Sequence, residues 1–270
     1  MTVRAAIAEA AARIASDTPR LDAELLMAHA LGVSREAMLL ARLGDPVPEG
    51  FAALVERRVA HEPVAYITGS RGFWTIELAV GPGALVPRAD SETLIEAAVA
   101  HFAGTAGPKR VLDLGTGPGT LLLAALAQWP AAQGLGIDAS ETALGYARRN
   151  AAALGMAERV ALRTGNWTDG LDGSFDLILC NPPYIGTGEE LGPEVREHEP
   201  ASALFAGADG LDDYRRIVPD LPRLLAPGGI AVLEIGWTQG AAVSALVAKT
   251  GLTPALRQDL GGRDRAVIAS

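Results

Sequence analysis

Cysteine is all but missing from this chain of 270 residues. A single one, Cys180, excludes an internal disulfide and any cysteine-based metal cluster. It ends the apolar run Phe175–Cys180, where a small buried side chain is expected in place of a reactive thiol. The four histidines, His29, His61, His101 and His198, show no metal-ligand spacing, so a metal-free site is expected. No apolar run approaches the roughly 20 residues of a membrane span. The first residues carry an early acid, Glu9, and no signal-peptide core, which makes a reducing cytoplasm the expected setting. Surplus positive charge is missing too: the formal net charge is −9. Residues 1–70 hold seven arginines and no lysine against nine acids, so no basic stripe for a duplex is in view. Direct contact with nucleic acid is not expected, and a protein substrate fits better. Repeats and low-complexity tracts are also lacking.

What is present divides into two patterns. Apolar residues at helical spacing fill Thr2 to Ala15, then Leu21 to Leu31 ahead of Gly32, a short stretch to Ala41 behind Ser34, and Pro48 to His61. These predict a small helical bundle over 1–70. Phe73 to Val80 alternates as a strand, with Gly81-Pro82-Gly83 as a turn and Ala84 to Val86 returning, which predicts a β-hairpin linker over 71–90. From Ser91 to Ser270 strands and helices alternate, with strands expected near 110–114, 133–138, 159–164, 175–180, 229–235, 253–259 and 264–269. That alternation implies an α/β domain with a mostly parallel sheet and an antiparallel edge. Ligands in such sheets bind beyond the carboxyl ends of the strands.

The sharpest motif is Asn181-Pro182-Pro183-Tyr184, at the end of one such strand. Two prolines donate no backbone hydrogen bonds and fix φ, and Asn181 ahead of them is pushed toward an extended conformation. The outcome is a stiff corner carrying one amide, carbonyls free of N–H competitors and an aromatic face. Such a corner suits a flat –NH2 group: the Asn181 Oδ1 and the Pro182 carbonyl each accept one N–H, and Tyr184 stacks behind. Upstream, Gly115-Thr116-Gly117-Pro118-Gly119 joins the predicted strand Arg110–Leu114 to a helix, a turn that serves either close ligand approach or simple chain reversal. Asp113 inside this turn could orient the loop. Asp138 ends the next strand about 20 residues on, where a ribose diol would accept a carboxylate. With the corner in register, the ribose role outweighs a helix N-terminal charge. Trp167 reads equally as core or as a ligand wall. Between Tyr184 and about Leu211 a long Gly-, Glu- and Pro-rich stretch reads as a lid, and its His198 as a bystander.

The glycine turn, the acid and the tetrapeptide together resemble the doubly wound S-adenosylmethionine-dependent methyltransferases that modify amino groups. Further blocks narrow the resemblance: Pro63–Gly69, Gly72-Phe73-Trp74, Leu85–Arg88, Glu199-Pro200, Asp209–Leu211 with Tyr214-Arg215, and Glu234-Ile235-Gly236 with Gln239. Over nearly the whole chain it resembles the peptide chain release factor N5-glutamine methyltransferases. That resemblance implies a Rossmann-like seven-stranded methyltransferase domain, with residues 1–70 recognising the substrate. It implies that S-adenosyl-L-methionine is held by Gly115, Thr116, Gly117, Pro118, Gly119, Asp138, Trp167 and Asn181. It also implies that Asn181, Pro182, Pro183 and Tyr184 bind the glutamine of the release factor's Gly-Gly-Gln loop, with Asn181, Pro182 and Tyr184 aiding transfer. A monomer is expected. One departure is visible: the family's P-R-P-E-T-E stands as Pro87-Arg88-Ala89-Asp90-Ser91-Glu92, whose Asp and Ser still suit a helix start. A ribosomal-protein glutamine methyltransferase is a near alternative, and a nucleobase amino-methyltransferase or a non-catalytic cofactor module a more distant one.

Overall fold

Thr2 starts the first helix: its hydroxyl accepts the Ala5 N–H at 3.4 Å, and Val3, Ala6, Ile7 and Ala10 fall on one buried face of Val3–Arg13. Pro19–Leu31 ends on Gly32, whose φ of 65° is left-handed. Ser34 caps Arg35–Ala41 by accepting the Ala37 N–H at 3.1 Å. The helix expected from Pro48 starts later, at Phe51, because Gly50 takes φ 86° just before it. Phe51–Val59 and the short Val64–Thr68 complete a bundle around Ile7, Leu26, Met27 and Met38. The computed structural model describes residues 1–270, which form two compact units. This bundle, residues 1–70, is joined in its unit by residues 191–199, and the second unit holds 71–190 and 200–270.

The segment 191–199, expected as part of a lid, clusters with the bundle. It contains the helix Pro193–His198, and Glu194 Oε2 lies 2.7 Å from Nη2 of the buried Arg58, which also donates from Nε to Asp22 Oδ2 at 2.8 Å. Arg58 and Asp22 are both buried, whereas Glu194 is half-buried, so the segment is tied to the bundle through the exposed side of this cluster. His198 Nε2 lies 3.3 Å from the Ala60 carbonyl in the same unit.

In the second unit the hairpin differs from its expected form. Strands β1 (Ser70–Phe73) and β2 (Ile76–Ala79) turn at Trp74-Thr75, well before Gly81. Trp74 takes φ 55°, an unfavourable angle for a bulky residue. Tertiary bonds hold it: its N–H donates to Glu92 Oε1 at 2.8 Å and its indole N–H to Gln128 Oε1 at 3.3 Å. The main sheet follows as β3 (Arg110–Leu114), β4 (Gln133–Asp138), β5 (Val160–Thr164), β6 (Phe175–Cys180), β7 (Leu225–Glu234), β8 (Pro254–Gln258) and β9 (Asp264–Ala269). Their order is β5-β4-β3-β6-β7-β9-β8, with β9 antiparallel to both neighbours. The seven-stranded Rossmann-like sheet expected of the sequence is thus present.

Strands β3 and β6 bury nearly every side chain, as helices on both faces of a parallel sheet require. β7 begins four residues earlier than the apolar run at 229 implied. Its pairing to β6 jumps from Phe175↔Leu225 to Leu177↔Ile230, which absorbs Pro227 and two glycines. Chain order reverses between β3 and β6, so the segments leaving these adjacent strands flank the switch point where such sheets bind ligands.

Candidate active site

The glycine turn leaves β3 and the proline corner leaves β6, side by side because Leu114 pairs with Cys180. They share a cavity of about 280 Å³ lined by Gly115, Thr116, Gly117, Pro118, Asp138, Trp167, Asn181 and Pro183. Three of the expected contacts lie elsewhere. Gly119, at φ 89°, starts the helix Thr120–Gln128 outside the wall. Pro182 and Tyr184 also stand outside it, the Tyr184 ring packing on the buried core that includes Cys180.

On the glycine side, a Cβ on Gly115 would meet the Trp167 ring at 2.9 Å, and its φ of 72° is also left-handed. Trp167 itself adopts φ 52°, fixed by an indole N–H bond to Asp213 Oδ1 at 2.9 Å. Its ring is both cavity wall and core, which joins the two roles that sequence left open. Asp138 Oδ2 accepts the Gly117 N–H at 2.7 Å and Oδ1 accepts the Ser140 N–H at 2.8 Å, so the carboxylate also braces the turn. Asp113 is buried at the cavity and accepts the Thr116 hydroxyl at 2.6 Å and the Leu122 N–H at 3.2 Å, both through Oδ2. Burial pushes its carboxyl up to about 7 against the pull of those bonds, and the Asp138 charge adds to the rise. Asn150, unremarked in the sequence, ties the hairpin to the turn: its amide N–H groups donate to the Ala79 and Pro118 carbonyls, at 3.0 Å and 2.9 Å.

On the proline side, Gln239 Nε2 donates to the Tyr184 carbonyl at 2.9 Å while its Oε1 accepts the Gly236 N–H at 3.0 Å. The Tyr184 hydroxyl donates to Glu234 Oε1 at 3.5 Å, and Asn181 Nδ2 to Ser91 Oγ at 3.4 Å. Ser91 makes no cap bond to its helix, contrary to the role its position implied. Glu234 is buried, and burial pushes its carboxyl up to about 7, against the pull of Ser91 and Arg265. Burial likewise raises the Tyr184 phenol, the Cys180 thiol and Asp213.

Residues 5–69 match the family model "PrmC N-terminal domain" and residues 107–254 match "Methyltransferase domain". Release factor glutamine methyltransferase of Rhodospirillum rubrum is 46% identical over 94% of this chain and 79% of that protein. The same enzyme of Cereibacter sphaeroides is 45% identical over 99% of this chain and 96% of that protein. The chain belongs to the release factor glutamine methyltransferase family. Solved structures agree on the fold alone. The ribosomal protein L11 methylase of Lactobacillus delbrueckii subsp. bulgaricus aligns with a TM-score of 0.51 at 22% identity, over 68% of this chain and 79% of that one. A methyltransferase from Pyrococcus furiosus aligns with a TM-score of 0.52 at 20% identity, over 71% of this chain and 87% of that one.

For a release factor glutamine methyltransferase the cavity must suit S-adenosylmethionine, and its residues do. Gly115 leaves the space a side chain would fill, Asp113 Oδ1 is buried without a hydrogen-bond partner, and Asp138 keeps lone pairs beyond its two N–H bonds. Leu121, Ile137 and Ala143 add apolar wall beside Trp167. No group of three His, Cys, Asp or Glu side chains is placed to hold a metal ion, and no helix is long and apolar enough to cross a membrane. Ser91, Asp213, Asn150 and the burial of Glu234 escaped sequence reasoning. A polar residue closing an otherwise apolar strand, as Glu234 does after Ile230–Leu233, was the signal available.

Proposed function

We propose that this chain methylates the side-chain amide nitrogen (N5) of the glutamine in the Gly-Gly-Gln loop of peptide chain release factors, at the corner Asn181–Tyr184. S-adenosylmethionine, when bound, supplies an electrophilic methyl group on a sulfonium. An amide nitrogen is a poor nucleophile because its lone pair is delocalised, so the protein's task is chiefly alignment. Asn181 Oδ1 and the Pro182 carbonyl accept the two amide N–H bonds, and these bonds strengthen as the nitrogen gains positive character. Tyr184 backs the planar group. Asp138 takes the ribose hydroxyls, Gly115 to Gly119 let the backbone approach the cofactor, and Trp167 packs on its base.

The observation that carries this reading is the meeting of Asn181 and the Gly115–Gly117 turn in one cavity, in a chain whose relatives bear this activity over almost their full length. Residues 1–70 serve as the recognition domain for the release factor, with 71–90 as the joint to the catalytic domain 91–270. Their match to a family-specific N-terminal model and their own core support that. The enzyme acts as a cytoplasmic monomer without touching nucleic acid, and the net charge of −9 favours the last point. Incubating the protein with release factors and isotope-labelled S-adenosylmethionine, followed by peptide mass spectrometry, tests the assignment. Label on the loop glutamine is expected. Label on a ribosomal protein or a nucleobase instead would replace the substrate.

A further inference from the structure

Ser91 and Glu234, from two distant segments, converge with Tyr184 behind Asn181. Its Nδ2 donates to Ser91 Oγ at 3.4 Å, the Ser91 side chain lies close enough to the Glu234 carboxylate to favour its ionised form, and the Tyr184 hydroxyl donates to Glu234 Oε1 at 3.5 Å. Ser91 and Glu234 are 2% and 1% exposed, and Glu234 Oε2 has no partner at all. Below, the Tyr214 hydroxyl donates to the Glu234 main-chain carbonyl at 2.5 Å, anchoring the strand end. A half-satisfied buried carboxyl is costly, and an apolar residue at the end of β7 would avoid that cost.

A primary amide has two ends of similar shape and opposite hydrogen-bonding sense. A substrate –NH2 needs the oxygen end of Asn181 and is repelled by the nitrogen end. An ionised carboxylate only accepts, so Ser91 gives its one proton to Glu234 and meets Asn181 with a lone pair. Asn181 must then turn Nδ2 toward Ser91, which leaves Oδ1 for the substrate. A protonated Glu234 could donate to Ser91, freeing the serine proton for Asn181 Oδ1 and allowing the inverted amide.

We infer that Glu234, acting through Ser91, is a positioning residue that sets the polarity of the Asn181 amide toward the glutamine. The inference rests on the proposed role of Asn181 as acceptor of the substrate –NH2. Burial places the Glu234 titration at about 7, within reach of ordinary assay conditions. The charged groups bearing on it are Asp90, which opposes ionisation, and Arg265, which favours it and is itself 3.1 Å from Asp90 and 3.2 Å from Asp259. Tyr184, Tyr214 and Cys180 complete its titratable surroundings, each held neutral by burial.

The test measures methyl transfer to a release factor, with kcat and KM across about pH 5 to about pH 9. Cofactor affinity and melting temperature serve as controls for folding. Glu234→Gln and Ser91→Ala should each lower kcat about tenfold with cofactor affinity within about twofold, and Ser91→Thr should keep kcat near wild type. The double variant should be no worse than either single one, because both break one relay. Wild-type kcat should rise through an inflection near pH 7, and Glu234→Gln should erase it. Asn181→Ala separates the two levels of inference. If it is inactive while Ser91→Ala and Glu234→Gln run at the wild-type rate, the relay is overturned and Asn181 keeps its role. Multiplying losses in the double variant, or an inflection that survives Glu234→Gln, also overturn the relay. An active Asn181→Ala removes the foundation of both.

Discussion

Around Gly115–Gly119 the chain holds its shape largely with main-chain bonds. The Gly115 and Thr116 N–H groups both donate to the Ile137 carbonyl at 2.9 Å, and Gly119 N–H donates to the Thr116 carbonyl at 2.9 Å. Around Asn181–Tyr184 the prolines leave no such option, and side chains take over: Ser91, and Glu234 with Gln239 at the exit of β7, arrive from two other segments. A rigid turn made of backbone tolerates many side chains but few changes of glycine. A rigid corner made of prolines depends on borrowed polar groups. Substitutions should accordingly damage the two halves in different ways.

The largest effect is expected at the corner. Asn181→Ala should lower the rate of glutamine methylation about a hundredfold or more while cofactor affinity stays within a few-fold, measured by single-turnover transfer and calorimetry. A loss confined to cofactor affinity would merge the two halves. Next, Asp138→Ala removes the proposed ribose acceptor together with the brace on Gly117 N–H, and cofactor affinity should weaken about tenfold or more. Unchanged affinity would leave Asp138 as a brace for the Ser140 end alone. Gly115→Ala against Gly117→Ala sharpens the donor side further. Both positions have left-handed φ, but only a Cβ on Gly115 meets a neighbour, the Trp167 ring. Gly115→Ala should therefore weaken cofactor binding several-fold more than Gly117→Ala does, and equal losses would mean that backbone strain alone matters.

The smallest effect concerns stability. Asp113 and Glu234, one in each half, are both raised by burial to about 7 from ordinary values of 3.8 and 4.5. The folded protein then holds more protons than the unfolded chain between those ordinary values and about 7, so their contribution to stability declines as pH rises through that window. Glu234→Gln removes one of the two. Melting temperatures measured across the window should fall less steeply for that variant than for the wild type. Identical slopes would relocate the linkage.

Legibility followed the same divide. The glycine side of the cavity is a contiguous strand, turn and helix, so the meeting of Gly115–Pro118 with Asp138 was legible from spacing, and the seven strands from apolar runs between turns. On the proline side the tetrapeptide stood out as a site, whereas Glu234 and Gln239 stood out only as part of a family block. Ser91 read as a helix start because serine favours that position, yet its hydroxyl turns toward Asn181 and Glu234 and not toward its own helix. The hairpin turn at Trp74-Thr75 escaped because tryptophan is a poor residue for positive φ, and the bonds that hold it come from Glu92 and Gln128, far along the chain. Likewise Pro193–His198 read as loop because its docking partner, Arg58, is more than a hundred positions away.

That last segment makes the two units inseparable by any single cut. Cleavage between Ser70 and Arg71 would put Arg58, with Asp22 and the Glu62 carbonyl, on one fragment and its third partner, Glu194, on the other. A fragment made by trimming the first seventy residues would lose the bundle side of the Glu194–Arg58 pair in the nonapeptide that leads from the proline corner to Pro200, one of the residues that wall the cavity.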